Sequence, residues 1–115
     1  MQYLLLIYAA ENDWVHLEGE EKQELFNEYT SLSDDLRRTG KYVAANALKP
    51  VATATTVRVR NGKKMVTDGP FAETKEQLGG FYLVEASNLD EAIEIAARIP
   101  SGRFGSIEVR PINPH

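Results

Sequence analysis

The chain has 115 residues, a mass of 12.9 kDa and a formal net charge of −4, enough sequence for one domain and too little for a second catalytic one. Hydrophobic residues at 43% and charged residues at 26% fit a folded domain and disfavour disordered or fibrous classes. Seventeen acids against 13 lysines and arginines, with basic residues only in local clusters such as Arg37-Arg38, Arg58/Arg60 and Lys63-Lys64, make nucleic acid an unexpected partner; the absence of cysteine excludes disulfides, thiol nucleophiles and Cys-ligated zinc.

Tyr3 to Ala9 is rich in Leu, Ile and Tyr and reads as a strand. It is apolar on both faces, through Tyr3, Leu5 and Ile7 on one and Leu4, Leu6 and Tyr8 on the other. The segment lacks a basic leader and runs into Glu11 and Asp13, so neither a signal peptide nor a membrane span is expected, and the cytoplasm is the expected compartment. From Glu20 to Thr39 the period becomes helical, with Leu25, Tyr29, Leu32 and Leu36 in one stripe. Early glutamates and late arginines complement the helix dipole, and Gly40 supplies a left-handed stop.

Thr55 to Arg60 and Lys64 to Thr67 flank Asn61-Gly62, the strongest short signal for a type I′ hairpin. Gly79 to Ala86 is another strand with two apolar faces, through Phe81/Leu83 and Tyr82/Val84; Gly79-Gly80 marks a bulge or a close backbone approach. Asn88 caps a second helix, with Glu91 placed as in a capping box and a stripe of Leu89, Ala92, Ile93, Ala96 and Ile99. Ser106 to Ile112 closes the chain as a strand.

The expected fold is therefore α+β. With the extra hairpin set aside as an insertion, the order is a ferredoxin-like split βαβ plan in a single domain over residues 1–115. Two helices cover one face of such a sheet. The second apolar face calls for another layer, most simply a second copy in a C2 homodimer.

Asp68-Gly69-Pro70 breaks a strand and brings Asp68, Glu73, Lys75 and Glu76 close in sequence. Mixed acids and bases at a strand end can form a general acid/base site, with Lys75 holding an anion. The same residues equally describe one exposed helical turn started by a Thr74-x-x-Gln77 capping box. Arg58 and Arg60 share a face with Thr56, opposite Thr55, Val57 and Val59. They fit either an anion contact in a cleft or an exposed hairpin face. His16 and His115 are the two histidines. His16, before the first helix, is either a proton-transfer group or an incidental loop residue. No metal site, phosphate loop or dinucleotide fingerprint is present, and no cofactor is expected.

The run Asp68-Gly69-Pro70-Phe71-Ala72-Glu73-Thr74-Lys75-Glu76-Gln77-Leu78-Gly79-Gly80-Phe81 resembles the DGPF branch of the YCII-related family. The opening Tyr3–Tyr8, the Thr55–Arg60 strand and the closing Ser106–Ile112 extend the resemblance over nearly the whole chain. It implies a dimeric α+β barrel. Better understood YCII-like relatives carry a proposed Asp–His active site, and one eliminates chloride from a chlorinated hydroquinone. The resemblance points to Asp68 as the acidic member, with His16 as the available histidine; the residues themselves offer Arg58, Glu73 and Lys75 as ligand contacts. Some members of the branch are associated with extracytoplasmic-function sigma factors. Besides a purely structural dimer, two functions follow as expectations. One is a small enzyme doing lyase- or isomerase-like acid/base chemistry on an anionic or phenolic molecule. The other is a non-catalytic ligand-binding or regulatory homodimer, without membrane association.

Overall fold

Residues 1–14 and 16–114 are described by the computed structural model, which has a mixed α+β fold. The elements in chain order are β1 (Gln2–Ala9), α1 (Gly19–Arg38), β2 (Tyr42–Ala47), β3 (Thr55–Arg60), β4 (Lys63–Asp68), β5 (Gln77–Glu85), α2 (Leu89–Ala97) and β6 (Ser106–Pro111). Short 3₁₀ turns lie at Glu11–Asp13, Val51–Thr53 and Pro100–Arg103. A four-stranded sheet has the order β2-β5-β1-β6, with every neighbouring pair antiparallel. β1 and β2 are parallel and separated by β5, the split β-α-β arrangement. β3 and β4 form a separate two-stranded arm.

Alternation along β1 sorts its residues by face. Tyr3, Leu5, Ile7 and Ala9 are buried, whereas Leu4, Leu6 and Tyr8 are half-buried. On β5, Tyr82 and Val84 are buried while Phe81 and Leu83 are half-buried. The covered face meets Leu32 and Leu36 of α1 and Ala92, Ile95 and Ala96 of α2, with Ile99 beyond the helix end. Among the described residues no third layer lies on the other face.

Helix α1 ends in a Schellman motif. Gly40 adopts φ 74°, its N–H donates to Arg37 O at 3.2 Å, and Lys41 N–H donates to Leu36 O at 2.8 Å. At the start of α2 the Asn88 side chain accepts from Glu91 N at 2.9 Å, and the Glu91 carboxylate accepts from Ser87 N at 3.0 Å. Asn61 (φ 53°) and Gly62 (φ 74°) supply the two positive φ angles of the arm's turn. One aromatic stack and two hydrogen bonds tie the core edge. Tyr29 and Tyr82 stack with their centroids 6.4 Å apart, Tyr29 Oη pairs with Ser101 Oγ at 2.5 Å, and Tyr82 Oη pairs with Ser33 Oγ at 2.8 Å. Burial is the main cause that raises both tyrosine pKa values, opposed by these serine bonds.

Two local expectations change, and one strand is additional to those expected. The strand β2 has no strong sequence signal, because Tyr-Val-Ala-Ala-Asn-Ala is poor in β-formers; pairing with β5 makes it a strand, with a register shift between Tyr42 and Ala44. The apolar stripe of α2 runs through Ala92, Ile95, Ala96 and Ile99, leaving Leu89 and Ile93 exposed. The helix turns its alanines toward the sheet, where small side chains allow close approach. The Thr74-x-x-Gln77 segment forms no helical turn. Instead Thr74 Oγ1 donates to Glu76 O at 2.6 Å, and the Gln77 side-chain amide donates to Thr74 O.

Candidate functional site

Three connecting segments meet where β1 ends and β5 and β6 begin, since Ala9 lies opposite Gln77 and Tyr8 opposite Ser106. They are the exit of β1, the segment before the arm and the segment after it. Two side chains tie them. The Gln77 amide oxygen accepts from Glu11 N at 2.9 Å, and the Glu11 carboxylate accepts from Val51 N at 3.0 Å. Leu48 N donates to Gly79 O at 2.8 Å, and Ser106 Oγ donates to the Glu76 carboxylate at 2.8 Å.

The glycines explain how the backbones come so close. Gly79 sits in the register shift where Ile7 faces Gly80 but Tyr8 faces Leu78. A Cβ at Gly80 would stand 2.8 Å from Asn46 O, so only glycine lets β2 approach there. Gly69 has φ 94°, donates to Ala54 O at 2.7 Å and accepts from Thr56 Oγ1 at 2.8 Å, which closes the base of the arm.

The five residues singled out from the sequence lie on three parts of the chain: the arm, the segment after it and the turn before α1. Asp68 is the last residue of β4 and is exposed; Glu73 and Lys75 are exposed on the segment that follows. Arg58 is half-buried on β3, and His16 is exposed on the turn before α1. Among the described residues no hydrogen bond or ion pair joins any two of the five. The valine face of the arm does not lie against the helices, for Val57 is 58% exposed and Val59 62%. His115 lies outside the described residues. Two open grooves, of about 410 and 210 Å³, lie elsewhere, one between α2 and β6 and the other beside the start of α1. None of the five residues lines either groove.

The ion pairs divide the molecule unevenly. Arg37, Arg38, Lys41, Arg98, Arg103 and Arg110 each face a carboxylate. Arg103 grips Glu28 with two bonds, at 2.6 and 3.3 Å, and this pairing raises its pKa. By contrast, among the described residues Lys22, Lys49, Arg58, Arg60, Lys63, Lys64 and Lys75 have no ion-pair partner. All but Lys22 lie between residues 49 and 75. No group of three or more His, Asp or Glu residues among the described residues is placed to hold a metal ion. No helix among them is long and apolar enough to cross a membrane.

Of the two side chains that fasten the frame, Glu11 carried no assigned role in the sequence and Gln77 only that of a helix-capping residue. Their signal was weak: an acid just past a strand end and a glutamine just before one, both ordinary turn residues. The fold and frame define a small split-β-α-β protein with a long polar insertion between β2 and β5. The YCII-related domain matches residues 1–115, so the chain belongs to the YCII-related family. It is 37% identical over 114 residues to an uncharacterised protein of Rhizobium meliloti (strain 1021), a match spanning 97% of this chain and 92% of that relative.

Proposed function

We propose that this protein is a homodimeric binder of a small acidic or phenolic molecule. Arg58 and Lys75 would supply the anion contacts, while Asp68 and Glu73 accept hydrogen bonds from ligand hydroxyl groups. One observation carries the reading: among the described residues Arg58 and Lys75 have no ion-pair partner, whereas Arg38, Arg98 and Arg103 are spent on carboxylates. A free guanidinium is suited to a carboxylate or phenolate because it donates in a planar fork. The dimer would form through the open sheet face, where Leu4, Leu6, Tyr8, Phe81 and Leu83 leave apolar surface in water. Packing two such faces gives the dimeric α+β barrel arrangement. The Asp68–Phe71 motif supports placing the chain in the DGPF branch.

Proton transfer by Asp68 and His16 is not part of this reading. A general acid or base needs a withdrawn, oriented environment, and both groups are exposed in the single chain. The test is a thermal-shift panel of small aromatic and aliphatic acids and phenols. Binding that survives in Asp68→Asn and is lost in Arg58→Ala and Lys75→Ala is the expected result. Ligand stabilisation that persists in both cation variants overturns the assignment.

A further inference from the structure

The arm is built as if something else held it. Two-stranded hairpins on their own are marginal in water. This one is a regular six-residue ladder with a well-formed turn, yet β4 is exposed along its whole length. One face carries Val57, Val59 and Val66, all more than half exposed, with Met65 on the other. Phe71, just beyond the base, is 79% exposed. The arm also widens the molecule. Its extents are 47 × 43 × 19 Å, and its radius of gyration of 16.1 Å exceeds the roughly 13 Å of a compact chain of this length.

Charge names the occupant. Residues 55–68 hold four cations and one acid, a net +3, while the rest of the chain holds nine cations and 16 acids, a net −7. Among the described residues none of the arm's cations has an ion-pair partner. Among the described residues, the densest run of carboxylates without an ion-pair partner on the body is Glu18, Glu20, Glu21 and Glu24, around the start of α1. Two arms would repel each other, and the acidic body would repel a nucleic acid. A second body of this chain, with its net −7, would attract the arm.

We propose that the β3–β4 arm is a strap held by a second copy of this chain, its valines covered and Arg60, Lys63 and Lys64 set against the carboxylates of that copy's body, which leaves Arg58 to the ligand. The inference rests on the dimer proposed above. It adds that Arg58 and the base of the arm are fixed in place by the partner.

The chain has no cysteine, so Thr67→Cys gives a single exposed thiol for a nitroxide without touching the arm's charges. The labelled protein is mixed with isotope-labelled wild type. Paramagnetic broadening on the body of the wild-type copy, strongest in the first turns of α1, is expected. Broadening confined to the arm of that copy, or none, overturns the strap. Sedimentation equilibrium separates this failure from failure of the dimer. Lys63→Glu/Lys64→Glu should raise the dimer dissociation constant about tenfold at low salt, with the difference fading at high salt. An unchanged constant overturns the strap and leaves the sheet-to-sheet dimer standing; a wild type that is monomeric at every concentration overturns both.

Discussion

Leu5 and Leu6 are neighbours in sequence and lie on opposite faces of the sheet, which makes them a controlled pair. Leu5 is fully buried against the helices. Truncating it to alanine removes buried carbons and leaves a space that the close-packed core fills only in part, for a loss of about 2.7–5 kcal/mol. For a chain of this length the unfolding entropy is about 0.24 kcal/mol/K, so Leu5→Ala should lower Tm by roughly 11–20 °C. That loss should be the same at low and high protein concentration, because the contacts lie within one chain. Leu6 is half-buried in the single chain. Leu6→Asp should cost the isolated chain only about 1 kcal/mol, but it would place a carboxylate in the proposed dimer face. Its Tm deficit should therefore grow with protein concentration as the wild type gains stability from association. Calorimetry at several concentrations, paired with sedimentation, reads both effects. A Leu6→Asp protein with the same Tm deficit at every concentration and unchanged sedimentation would refute the dimer face. A Leu5→Ala loss below about 1 kcal/mol would refute the placement of the core.

Other outcomes follow from particular contacts. Asp35 accepts from Arg98 at 2.6 Å and from Arg38 at 2.7 Å, and these bonds lower its pKa, Arg98 most of all. A lowered folded pKa gives stability that is present above the unfolded value of about 3.9 and lost as pH falls through the folded one. The Tm difference between wild type and Asp35→Asn should accordingly be flat near neutrality and shrink below about pH 4. Gly105→Ala should be destabilising by about 1–3 kcal/mol in urea denaturation, because the new methyl group would collide with the Tyr8 carbonyl and the Ala9 backbone. Gly102→Ala, whose methyl group would meet Ile107 at an ordinary 3.5 Å, is its near-neutral control. Tyr82→Phe removes the partner of Ser33 and should cost about 0.5–1.5 kcal/mol. Since burial raises the folded Tyr82 pKa, its contribution is complete below about pH 10 and is lost as pH rises through the folded value. Tyr82→Phe should thus lessen the alkaline loss of stability seen in thermal melts.

Elements with a strong local cause were legible in the sequence. The stripe of α1, its Gly40 stop, the Asn88 cap and the Asn61-Gly62 turn each depend on a few adjacent residues, and each appears where those residues place it. The two-faced character of β1 and β5 was equally readable, because alternation alone assigns the faces. What depended on distant partners was not readable. β2 is a strand because β5 lies beside it. Ile95 displaces Ile93 in the core because the sheet selects which side of α2 approaches, and Thr74-x-x-Gln77 is drawn out of a helix because Gln77 starts β5 and holds Glu11. The candidate site was legible only as a set of residue types. Asp68, Glu73 and Lys75 are close in sequence, and their exposure agrees with the reading of an exposed turn, though the turn is not helical.

The strand order also bears on how the chain is made. β1 occupies the middle of the sheet, yet its neighbours β5 and β6 begin at Gln77 and Ser106, and β2 likewise waits for β5. A chain emerging from the ribosome can form α1 and close the local β3–β4 hairpin early, but it can assemble no part of the main sheet until residue 77 is free. Until then Leu4, Leu5, Leu6 and Ile7 have no strand to pair with. Such distant pairing slows folding and leaves an apolar segment open to aggregation or chaperone capture. The last third of the sequence therefore governs when the first strand becomes safe.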